Sequence, residues 1–273
     1  MSGIILRYVA GAGGDTICYL LSLKNNVYMN IYGAGKLYKN GRTLLSHWYD
    51  KKLPELVKLA KLRPAHKQAF NADRRKLHKN ISELIAKNKY FVLKSHYYNK
   101  SFDEEIKNLN LFETVDIGFD LNFLPFIVQA NLYKTKIEQK NLAYEITLFD
   151  KTLKTIAEKL NTEQKKSLIM WLLAKQFSRN INEFGLNNSK IMCDDLFYNP
   201  KNIEKVLKEK DYEIDFETEF YSKWKKSNLK YLPSEKYQEY VRTKNYNYAD
   251  QTLNLDERYI LLALNGKNFK FLK

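Results

Sequence analysis

Ile4-Ile5-Leu6-Arg7-Tyr8-Val9-Ala10-Gly11-Ala12-Gly13-Gly14-Asp15-Thr16 is the stretch that decides the fold. Its first six residues form a short β-prone run suited to a buried parallel strand. Glycines at 11, 13 and 14 follow, where a chain must turn sharply or approach a ligand closely. Asp15 and Thr16 can cap a helix, and Ile17, Leu20 and Leu21 mark one apolar face of it. A glycine turn between strand and helix aims backbone N–H groups and a helix N-terminus at one spot, which suits a phosphate or sulfate at Gly11, Gly13, Gly14, Asp15 and Thr16. It is not a Walker A loop, because no Gly-Lys-Ser/Thr follows the glycines. An ordinary tight βα connection accounts for the segment equally well.

Outward from that stretch the chain reads as helices alternating with short strands. A weak strand covers 27–32, and a basic helical region covers 53–87 with an interruption at Pro64. Tyr90-Phe91-Val92-Leu93-Lys94-Ser95-His96 is a strong strand that ends in polar groups, and 114–119 is another short strand. Helices are expected over 124–136, 141–160 and 162–184, then a strand over 190–193 and a helix from Asn199-Pro200 to Lys208. The remainder is polar and aromatic and ends in a helical 255–264. Strands separated by helices predict a helix-rich α/β fold, a mainly parallel sheet flanked by helices in three layers. The chain reads as one α/β domain over 1–273, with 231–273 as a C-terminal helical and aromatic extension. In such sheets ligands bind at the carboxyl ends of the strands. The glycine turn and His96 both fall there, and Lys94, two residues back, shares the strand side of His96. A histidine so placed can deprotonate an acceptor hydroxyl. A surface histidine at a strand end is the plainer alternative.

Composition bounds the rest. The net charge of +15 favours an anionic partner, although the abundance of Lys, Asn and Tyr also matches AT-rich coding. The two cysteines, Cys18 and Cys193, do not make a disulfide scaffold and suit a reducing compartment. No run has the length of a membrane span and no secretory signal is evident, so a cytoplasmic protein without membrane contact is expected.

Three segments in order resemble the P-loop sulfotransferases: the glycine turn after the first strand, Lys94-Ser95-His96 at a later strand end, and Lys190-Ile191-Met192-Cys193-Asp194-Asp195-Leu196 followed by Asn199-Pro200. The resemblance implies a first loop that cradles the 5′-phosphosulfate of the donor PAPS. It makes His96 the base for the acceptor hydroxyl and Lys94 its helper at the transferring group. It places the unit that holds the donor's 3′-phosphate in 115–133, where Asp120-Leu121-Asn122 stands at the family's Arg, with Asn122 as the binding candidate, and Asn131, with Gln129, offers an amide on the helix. The acceptor it implies is a hydroxyl on a glycan, small molecule or nucleic acid. The chain departs from the family pattern at Ala12, where the loop's Lys or Arg is expected, and at Asp15, whose carboxylate would repel a phosphate unless a cation intervened.

Two other readings stay open. One is a kinase-like phosphotransferase acting on a nucleotide or nucleic acid, with ATP and Mg²⁺ recruited by Asp15 or Asp195. The other is a non-catalytic protein that binds an anion or nucleic acid on the same fold. His47, His66 and His78 share no metal-ligand spacing and neither cysteine has a CxxC partner, so no metal site is expected. Lys223-Trp224-Lys225-Lys226 and Arg74-Arg75-Lys76 suit a polyanion, but solvated helix faces are the default reading of both.

Overall fold

The computed structural model describes residues 3–23, 26–31, 36–39, 69–70, 91–96, 112–134 and 142–272. Seven strands form one sheet: β1 (Gly3–Tyr8), β2 (Asn26–Ile31), β3 (Lys36–Lys39), β4 (Ala69–Phe70), β5 (Phe91–His96), β6 (Phe112–Gly118) and β7 (Ile191–Met192). Their order is β4-β3-β2-β5-β1-β6-β7. The five strands β2, β5, β1, β6 and β7 run parallel, and the β3–β4 pair is antiparallel on the edge. β1 is central among the parallel strands. From it the chain passes over the β5 position to β2, returns to β5, and then crosses β1 to β6 and β7. The direction of travel therefore reverses at β1, the place where open α/β sheets form their binding crevice.

The strand readings at 27–32, 90–96, 114–119 and 190–193 correspond to β2, β5, β6 and β7, shifted by one or two residues. The helical region read over 53–87 needs correction at Ala69–Phe70, which pair as strand β4 with Leu37 and Tyr38 of β3. The rest of that region, Arg74-Arg75-Lys76 and His47, His66 and His78 lie outside the described residues. Ile4, Ile5, Leu6 and Tyr8 of β1 are buried, as a strand covered on both faces requires. Arg7 fits among them through a two-point ion pair with Asp116, its register partner on β6, at 2.7 and 2.8 Å.

The chain divides into two compact units, 1–118 with 188–227 and 119–187 with 228–273. The first holds the sheet, α1 (Gly14–Ser22) and the helices after β7: Asp195–Tyr198, Pro200–Lys208 and Glu219–Asn228.

The second unit is helical. It contains α2 (Leu124–Lys134), α3 (Leu142–Phe149), α4 (Lys154–Lys159) and α5 (Thr162–Phe184), with later helices over Glu235–Arg242 and Leu255–Leu264. The single helical stretch expected over 141–160 is broken because Asp150 turns extended and accepts the N–H of Thr152 with its carboxylate. α5 keeps its expected bounds. Asn161 and Gln164 close a reciprocal cap at its start, and Gly185, at φ +61°, ends it. Glu257 is 2% exposed and accepts from the Ser234 N–H at 2.7 Å and the Ser234 hydroxyl at 3.0 Å. Replacing Glu257 by Ala strands both donors, and a loss of about 1–3 kcal/mol is expected in urea unfolding. A change below about 0.5 kcal/mol would show that water takes over both bonds.

Candidate functional site

The loop after β1 is built from the backbone outward. The Ala12 N–H donates to the Val9 carbonyl at 3.0 Å and closes a tight turn. Gly11 and Gly13 hold φ of +90° and +74°, a region in which any other L-residue is strained. Gly13 is the N-cap of α1, and its carbonyl accepts from Thr16 and Ile17. The expected Asp15–Thr16 cap is thereby corrected: Asp15 lies inside the first turn and no side chain caps the helix. Among the described residues the N–H groups of Gly13 and Gly14 and the hydroxyl of Thr16 donate to no protein atom, and Thr16 is 1% exposed.

Two side chains press on the glycines. A Cβ on Gly14 would lie 2.2 Å from the Tyr8 ring, and one on Gly13 would lie 2.2 Å from Leu196 Cδ1. Leu196 is itself pinned. Asp195, beside it, accepts from the Met192 N–H at 2.9 Å and the Asn202 amide at 2.8 Å, while the Tyr221 hydroxyl donates to the Leu196 carbonyl. Asp195 therefore braces the turn after β7 that shapes the glycine loop. Gly14→Ala forces a methyl into a buried ring, and about 1–3 kcal/mol of lost stability is expected in thermal or urea unfolding. Wild-type stability in that variant would mean that the ring moves aside freely.

Asp15 points back into the protein. Its carboxylate accepts from the hydroxyl of Tyr8 at 2.5 Å, and Tyr8 is 1% exposed. Burial, then the Asp15 charge, raises the Tyr8 phenol well above its usual 10.0. Burial and then Glu257 do the same to Tyr237 in the second unit, and burial and then Glu204 push Tyr221 up to about 12. An unfolded tyrosine ionises near pH 10 while these three stay neutral when folded. Stability is accordingly whole below about pH 10 and falls as pH climbs toward about 12. Urea midpoints read at about pH 9 and pH 11 check this, and equal midpoints would contradict it.

The strand register places the other expected residues. Lys94 pairs with Leu6 and His96 pairs with Tyr8. Position 96 thus ends β5 on the same sheet edge as the glycine loop. Asn122 and Asn131 belong to the second unit and are engaged there. The Asn122 amide donates to Asp120 at 3.0 Å. That of Asn131, a buried residue, donates to the Ile127 carbonyl at 2.8 Å. No group of three or more His, Cys, Asp or Glu side chains among the described residues is arranged to hold a metal ion. No helix among them is long and apolar enough to cross a membrane.

Fold and loop together define a helix-rich α/β chain with a glycine turn at the carboxyl end of its central parallel strand. No family model, curated protein or solved structure matches the chain.

Proposed function

We propose that the chain is a sulfotransferase-like group transferase. Its glycine loop receives the anionic end of a nucleotide donor such as PAPS, and His96 is the base for an acceptor hydroxyl. The observation that carries this reading is the pairing of Tyr8 with His96 on adjacent parallel strands, which brings the loop and the histidine to one sheet edge. One transferred group must reach both. The N–H groups of Gly13 and Gly14 and the Thr16 hydroxyl fit an anion in number and kind. Lys94 is the cation proposed to assist the transferring group, in the absence of a basic residue at Ala12. PAPS would supply the activated sulfuryl group. The chain's part is to hold that group and remove the acceptor's proton.

The kinase-like alternative asks Asp15 or Asp195 for Mg²⁺. Both carboxylates already accept hydrogen bonds within the protein, from Tyr8 and from Met192 and Asn202, which weighs against that role. Calorimetric titration of PAPS, its desulfated product and ATP–Mg²⁺ tests the reading. Binding of the first two above ATP–Mg²⁺ supports it, and preference for ATP–Mg²⁺ favours the kinase-like alternative. Silence toward all three removes the donor site. Gly13→Val is expected to weaken the preferred nucleotide by about tenfold or more, since β-branching strains a φ of +74° and meets Leu196. An unchanged affinity would leave the loop as a turn only.

A further inference from the structure

The segment Lys267-Asn268-Phe269-Lys270-Phe271-Leu272 interleaves two aromatic rings with two lysines just beyond the helix Leu255–Leu264. It is pinned at both ends within the second unit. The Lys267 N–H donates to the Leu262 carbonyl at 3.3 Å, and the Leu272 N–H donates to the Tyr259 hydroxyl at 3.1 Å. Phe269 anchors the middle, with its ring stacked on that of Tyr259 at 5.8 Å and 5.9 Å from that of Trp171 on α5. Phe271 then meets Phe269 edge-to-face at 5.1 Å and stays 47% exposed. A pinned segment thus holds a large apolar ring in water, where it contributes little to the fold.

Three cations surround these rings. Lys175, one turn beyond Trp171, lies over the indole, 4.5 Å from its ring centroid. Lys270 lies over the Tyr248 ring at 4.9 Å and donates to its hydroxyl at 3.4 Å. Lys267 precedes Phe269 by two residues. All three are exposed, and none pairs with a carboxylate among the described residues, whereas Lys166, Lys210, Lys223 and Lys236 do. The Asp250 carboxylate, two residues from Tyr248, is taken by the Tyr240 hydroxyl and by the N–H and hydroxyl of Thr252. We propose that this surface of the second unit binds single-stranded nucleic acid, with a base stacked on Phe271 and phosphates met by Lys175, Lys267 and Lys270. Unpaired positive charge selects a polyanion. An exposed ring selects one with free π faces, which a single strand offers and a duplex hides. A membrane surface asks for a broad apolar face, whereas Phe271 is one ring flanked by lysines.

The test is a fluorescence-anisotropy titration of the full chain with a labelled oligothymidylate of about 15 nucleotides, with thermal unfolding recorded for each variant. Parallel arms use the matching DNA duplex, a poly-glutamate peptide, and phosphatidylcholine vesicles containing phosphatidylserine. F271A is expected to weaken oligothymidylate binding by about tenfold through lost stacking. K267Q combined with K270Q should weaken it by about tenfold at low salt and make the slope of log K against log salt shallower by about 1.4, the share of two phosphate contacts. K201A combined with K205A removes two exposed lysines from the helix Pro200–Lys208 of the first unit and should change affinity by about twofold at most. Wild-type protein that binds no oligothymidylate overturns the proposal, as does wild-type affinity in F271A or in the K267Q–K270Q variant, or an equal loss in the K201A–K205A control. Binding of the duplex, the peptide or the vesicles as tightly as the single strand also overturns it. Should F271A fail to fold, the exposed lysine pair decides the same question.

Discussion

His96→Ala is expected to lower turnover of a hydroxyl acceptor by about 10²–10⁴-fold and to leave donor affinity nearly unchanged. The split follows from position. His96 pairs with Tyr8 at the end of β5, beside the loop and not within it, so its loss takes away the proposed base without touching the N–H groups at Gly13 and Gly14. Lys94→Ala should also lower turnover, through lost stabilisation of the charge that develops on the transferring group. Its effect should be steep because Ala12 leaves the loop no cation of its own. Lys94→Arg keeps the charge but changes its reach, so partial recovery is expected. Initial rates with PAPS and a panel of hydroxyl acceptors, alongside calorimetric donor affinities, read all three variants. Activity that survives both alanine changes would remove the sulfotransferase-type chemistry.

Trp224→Ala carries the largest expected loss of stability, about 3–5 kcal/mol. Trp224 is fully buried, with its ring 5.2 Å from that of Phe197 and stacked at 6.2 Å on that of Tyr221. Tyr221 is also the residue that donates to the Leu196 carbonyl, and Leu196 presses on Gly13. The variant is therefore expected to weaken donor binding as well as the fold. Trp224→Phe should retain much of both. The urea midpoint and the PAPS affinity of the two variants check the link. A full loss of stability with wild-type affinity would show the loop to be independent of the aromatic cluster behind it.

That tryptophan also shows where sequence reading runs out. Lys223-Trp224-Lys225-Lys226 reads as a solvated helix face or a basic grip, yet Trp224 is buried and Lys223 pairs with Glu219 one turn back at 2.8 Å. Three lysines hide one inward position, because four residues cover only about one helical turn, too little to show a repeating apolar face. The segments that were legible carried strong local signals. These were the β-prone run and glycines of β1, the long helical run at 162–184, and the Asn199-Pro200 start of the helix to Lys208. β3 and β4 escaped because four and two residues give no periodicity, and their pairing joins Leu37 to Phe70 across a long stretch of chain. In the candidate site the glycines and the His96 strand end were visible. The Tyr8–Asp15 bond and the Leu196 contact were not, since each joins residues that no local pattern connects.

The two compact units are interleaved along the chain: 119–187 separate β6 from β7, and 228–273 complete the helical unit only after the sheet is whole. This sets an order for synthesis. A ribosome delivering the chain from its N-terminus releases β1, the glycine loop and β6 well before Leu196, which must settle against Gly13. The loop therefore spends the early part of translation without the side chain that closes its far side. Fragments cut at 118 or at 187 would carry the glycines without that wall. The nascent chain is expected to complete its glycine loop late, in one step, as 188–227 join the sheet.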